Sequence, residues 1–134
     1  MYQAALKAYD SVNKSTMSGR DVEAEVLTKA ALKLKECQDN WAENGQGAKL
    51  ETALKYNQRV WTIFQAEVEK PENPLPKSLK VDLLRLSAFI DQRTFEAMAY
   101  PAPEKLTILI NINHNIAAGL RMRTPEAAIA KAAA

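Results

Sequence analysis

A chain of 134 residues, 47% hydrophobic and 25% charged, has the make-up of one globular domain and can hide roughly two-thirds of its unfolded surface. That balance excludes an intrinsically disordered chain, and the longest apolar runs, Ile63-Phe64 and Leu106 to Ile110, are far too short to span a bilayer. The net charge of +2 is too small to argue for nucleic acid on its own.

The pattern is helical nearly throughout. There are only four glycines, and no run of alternating β-branched residues closed by tight turns. A first helix is expected from Tyr2 to about Asn13, with Ala5, Leu6, Tyr9 and Val12 on one face. Ser15 to Gly19 breaks it. Ser18 suits the cap of a second helix, Met17 and Val22 are spaced as a hydrophobic staple, and Asp21 and Glu23 suit the positive end of its dipole. The face of this helix reads Val22, Val26, Leu27, Ala30, Leu34, Cys37, Trp41.

Glu43 to Gly47 reads as a loop. A third helix runs from about Ala48 to Glu69 on Leu50, Ala53, Leu54, Asn57, Val60, Trp61, Phe64 and Val68. Pro71, Pro74 and Pro76 end it, because proline lacks an amide hydrogen and turns its predecessor away from helix. A fourth helix is expected from about Lys77 to Ala99, with Leu79, Leu83, Leu86, Ile90 and Ala97 on one side, widened by Val81, Leu84, Ala88 and Phe95. Pro103 suits the first position of a fifth, reading Leu106, Leu109, Ile110, Asn113, Ile116, Ala117, Leu120. Leu106, Ile108, Ile110 and Ile112 also alternate like a strand, but Leu109 breaks the alternation and helix is preferred. Thr124-Pro125-Glu126 opens a short alanine-rich piece that either docks through Ile129 or frays. The expected fold is all-α: a compact bundle of five main helices with a short C-terminal sixth as an option, residues 1–121 forming the domain and 122–134 a tail.

Catalytic signals are nearly absent. His114, the only histidine, sits between Asn113 and Asn115, which cannot act as acid or base. No Cys/His cluster has metal-ligand spacing, and no glycine-rich phosphate loop or nucleophile elbow is present. Neither enzyme activity nor a cofactor nor a metal is expected. Cys37, the single cysteine, cannot form an internal disulfide, which fits a reducing cytosol. Its spacing from Ala30 and Leu34 marks a buried structural thiol. The N-terminal Met1-Tyr2-Gln3 shows no basic region with an apolar block, so no secretory signal is expected.

Two asparagines, Asn57 and Asn113, interrupt apolar stripes. A buried amide without partners costs about 1–3 kcal/mol. The commoner solution is a bond to backbone or to the other asparagine across a helix contact. The alternative is a bond to a partner helix that fixes its register. Trp61 and Phe64 share the main stripe and read as core, whereas Ile63 lies off it and is evenly balanced between core and groove. Charge is uneven: residues 21–47 carry six acids against three lysines, and residues 101–134 carry Lys105, Arg121, Arg123 and Lys131 against Glu104 and Glu126.

Several segments together resemble the FlaF family of bacterial flagellar biosynthesis regulators over about residues 1–121. They are Met1-Tyr2-Gln3; Arg20, Glu23 and Ala24; Tyr56-Asn57 with Trp61 and Phe64; Asn73-Pro74-Leu75-Pro76; Pro103-Glu104-Lys105-Leu106; and Ile112-Asn113-His114-Asn115-Ile116-Ala117-Ala118-Gly119-Leu120. The chain departs from the family at Gly19, where proline is usual, and at His114, where arginine is usual. The resemblance implies a small cytoplasmic helical protein that binds flagellin before export and controls its synthesis alongside a partner regulator, FlbT. Flagellin carries amphipathic terminal segments that an open apolar groove would cover. Asn57, Ile63, Leu75, Asn113, Ile116 and Leu120 are the expected partner-binding residues. The rivals are an RNA-binding translational regulator using the basic C-terminal third, and an adaptor that pairs with FlbT or with a second copy of itself. No membrane partner is expected.

Overall fold

The structure is a computed structural model that describes residues 19–43 and 45–121. Among these residues it is all-helical. The helices are α1 (Gly19–Asp39), α2 (Gln46–Glu69), α3 (Lys77–Ala99) and α4 (Thr107–Leu120), with a 3-10 turn at Pro103–Leu106 before α4. Four α-helices are thus present among the described residues rather than five. The expected first helix, the Ser18 cap, the Met17 staple and the C-terminal tail lie outside the described residues.

Short connections fold α2 back on α1 and α3 back on α2. α1 packs along α4 on one side and α2 on the other; α2 also packs on α3, and α3 meets α4 only lightly. The four form a ring in chain order. The direction of α4 is set at both ends: the Gln38 amide near the end of α1 donates to Pro103 O and Thr107 Oγ1, both at 2.9 Å, while Arg121 donates to Thr28 Oγ1 at 3.2 Å.

The core follows the 3.6-residue period. Val22, Leu27, Ala30, Leu34 and Cys37 are buried on α1, and Leu50, Ala53, Leu54, Val60, Trp61 and Val68 on α2. On α4 all of Leu109, Ile110, Asn113, Ile116, Ala117 and Leu120 are buried. The strand-like alternation at its start is therefore incidental. Helix α3 differs from the expectation. Leu83, Ile90 and Ala97 are buried, but Val81, Ala88 and Phe95 do not widen that face; all three are exposed. The reason lies in the ring: α3 has one full neighbour, α2, so only one stripe is covered.

The loops explain the proline cluster. Asn73 donates through Nδ2 to Glu67 O at 3.0 Å, closing the end of α2, and accepts the Leu75 amide on Oδ1 at 3.0 Å. This Asx turn replaces backbone bonds that the prolines cannot make. Pro76 then caps α3, its carbonyl accepting from Leu79 and Lys80 at 3.1 Å. At the other end of α2, Gly45 adopts φ 82, a left-handed conformation that favours glycine. The helix therefore begins at Gln46, two residues earlier than expected. Pro103 opens the 3-10 turn rather than α4 itself, and Leu106 fixes that turn through complete burial.

Candidate functional site

The two asparagines settle each other. The Trp61 indole N–H donates to Asn113 Oδ1 at 2.8 Å, and Asn113 Nδ2 donates to Asn57 Oδ1 at 2.6 Å. All three side chains are completely buried. Indole can only donate, so it orients the Asn113 amide, and Asn113 in turn orients Asn57. The chain of bonds crosses the ring from α2 to α4 through side chains. Phe64 packs edge-on against Trp61, with centroids 5.6 Å apart and planes at 82°. One polar group is left over: Asn57 Nδ2 is buried without an acceptor.

The expected partner-binding residues thus divide. Asn57, Asn113, Ile116 and Leu120 are interior, at 0% to 2% exposure. They do not line an open groove, because α1 packs along α4 and the Trp61 and Asn57 side chains of α2 meet it across the middle of the ring. Ile63 is half-buried on α2, and Leu75, half-buried in the turn between α2 and α3, packs on the core.

At the opposite end of the bundle lies a cleft of about 450 Å³ lined by Trp41, Gln46, Gly47, Leu50, Glu51, Leu54, Met98 and Pro101. Leu50 and Leu54 form a buried floor, and Trp41 and Met98 are half-buried walls. Gln46 brings a polar handle. Its Nε2 reaches Cys37 O at 3.5 Å, and its buried Oε1 has no donor. Such a cleft can take one bulky apolar side chain and offer a carbonyl to a neighbouring N–H. The residues come from the ends of two helices and from two loops. Sequence reasoning missed them because each face was read along one helix at a time. Met98 and Pro101 gave no periodic signal.

Burial shifts two titratable groups of the core. Burial pushes the Cys37 thiol above its ordinary value, helped by Glu36 and opposed by Lys49. The thiol is a structural group, as its spacing suggested. Burial also raises the Tyr56 phenol, whose hydroxyl is buried without a partner while Lys33 sits 5.2 Å from the ring centroid. His114 is exposed. Among the described residues no three His, Cys, Asp or Glu side chains gather to hold a metal ion, and no helix is long and apolar enough to cross a membrane. Of the bases in the C-terminal third, Arg121 is tied to Thr28, and Arg123 and Lys131 lie outside the described residues.

No curated protein and no solved structure matches the chain. A family model described as flagellar protein FlaF matches residues 5–120, nearly the whole length. That match spans all four helices together with the asparagine pair and the proline turn. The chain belongs to the FlaF family, a flagellar regulatory family, and its role lies in flagellar biosynthesis.

Proposed function

We propose that this chain is a non-enzymatic, cytoplasmic flagellin-binding chaperone that also adjusts flagellin synthesis. The observation that carries the reading is the bundle-end cleft. It has apolar walls at Trp41, Leu50, Leu54, Met98 and Pro101, and a buried carbonyl on Gln46 that lacks a donor. An amphipathic segment offers what this cleft lacks: a large apolar side chain flanked by polar hydrogen-bond donors. Covering such a segment before export prevents self-association in the cytosol. Family membership supplies the flagellar setting.

Co-purification of the chain with its flagellin tests the reading. Met98→Glu places a charge on a half-buried wall, and capture should fall at least about tenfold, equivalent to about 1.4 kcal/mol. Ile63→Glu, on α2 outside the cleft lining, should capture as the parent does. Unchanged capture by Met98→Glu, with helicity intact, would refute the cleft as the site. Loss at Ile63→Glu alone would move the contact to the face of α2 that carries Ile63. Capture of no flagellin by the parent chain would end the chaperone reading itself.

A further inference from the structure

The outer face of α3 is independent of the cleft, and only its edge at Leu84 touches the core. Val81, Ala88 and Phe95 stand seven residues apart and are exposed, Phe95 at 74%. Half-buried Leu84 and exposed Ala99 extend the stripe. A small residue at its centre, Ala88, lets another helix approach closely, and the seven-residue spacing is that of a helix-pairing seam.

Charge on this face is sorted along the helix. At ~100° per residue, the charged residues within about 80° of the Ala88 direction are Lys77, Lys80 and Arg85 in the first half, and Asp91 and Glu96 in the second. This order opposes the helix dipole, which favours acids at the start and bases at the end; the first turn has no acid and the last turn no base. Lys80, Arg85 and Asp91 have no ion-pair partner among the described residues, and Glu96 has a 3.3 Å contact with Arg93. Partial burial raises the Asp91 carboxyl above its ordinary value, a cost that an incoming cation would relieve.

We propose that α3 is the self-association surface of this protein, pairing antiparallel with α3 of a second copy about a twofold axis near Ala88. An antiparallel twofold pair brings the first half of one helix to the second half of the other, and keeps each flank on its own side. Lys80 and Asp91 share one flank; Arg85 and Glu96 share the other. The pairing therefore sets Lys80 toward Asp91 of the second copy and Arg85 toward Glu96 of the second copy, while Phe95 covers Leu84 and Val81. A parallel pair would set bases against bases. The charge order thus selects both the partner and its direction. One helix face is a small interface, so the dimer is weak, with a dissociation constant on the order of 10–100 μM.

Sedimentation equilibrium of the full chain, up to about 500 μM, tests this at the affinity expected of a small interface. The parent should show concentration-dependent dimerisation. Phe95→Glu should raise the dissociation constant at least about tenfold, with helicity and melting temperature unchanged. The double variants Lys80→Glu/Arg85→Glu and Asp91→Lys/Glu96→Lys should each be monomeric, and their equimolar mixture should form a heterodimer. That rescue separates charge pairing from general damage to the fold. A monomeric parent, a dimer that survives Phe95→Glu, or a mixture that stays monomeric would each overturn the proposal. Loss of flagellin capture by Phe95→Glu with a monomeric parent would assign the face to flagellin and also overturn it. The proposal stands or falls separately from the cleft.

Discussion

Replacing Asn113 by alanine should destabilise the fold far more than replacing Asn57, although both are completely buried amides one hydrogen bond apart. In the parent network one buried polar group, Asn57 Nδ2, lacks a partner. Asn57→Ala removes that group and strands Asn113 Nδ2 instead, so the count stays at one. The expected cost is about 1–2 kcal/mol, mainly a lost bond and a small cavity. Asn113→Ala strands the Trp61 N–H and Asn57 Oδ1 while Asn57 Nδ2 stays unpaired, giving three. Two new orphans at about 1–3 kcal/mol each give about 2–6 kcal/mol, a large share of the ~5–15 kcal/mol that holds a typical domain together. The double variant strands only the Trp61 N–H, so it should cost clearly less than the sum of the singles. Urea denaturation followed by far-ultraviolet circular dichroism measures all four proteins without relying on Trp61 fluorescence. Equal costs for the two single variants, or an additive double, would refute the reading of the network.

Other expectations rest on single contacts. Leu106→Ala should cost about 2–5 kcal/mol in the same assay, because this fully buried side chain anchors the 3-10 turn leading into α4. Asn73→Ala should cost about 1 kcal/mol, since it removes both the closure of α2 and the Asx turn. Leu32→Ser, at a side chain 54% exposed, should change stability by no more than about 0.5 kcal/mol. On the alkaline side, Cys37 and Tyr56 both have folded values raised by burial. The stability they contribute is complete below their unfolded values and is lost as pH rises through the folded ones. Melting temperature should therefore fall above about pH 9, and less steeply in Cys37→Ala than in the parent, relative to their own neutral values.

Helix content, the burial of Trp61 and the structural character of Cys37 were legible in the sequence because each depends on spacing within one helix. The same local logic placed α3 at Lys77–Ala99 and brought the α4 face from Leu109 to Leu120 inside. It failed wherever the answer depended on neighbours. Asn57 and Asn113 could have bonded backbone, each other or a partner; only the approach of α2 to α4, with the Trp61 indole as a donor between them, made one bonding scheme. Ile116 and Leu120 read as groove residues until α1 covered the face of α4 that carries them. Val81, Ala88 and Phe95 read as core until α3 proved to have one full neighbour. Periodicity reports how apolar a face is, and not what covers it. Which face meets a helix and which meets water is decided by the ring of four, because burial belongs to pairs of surfaces.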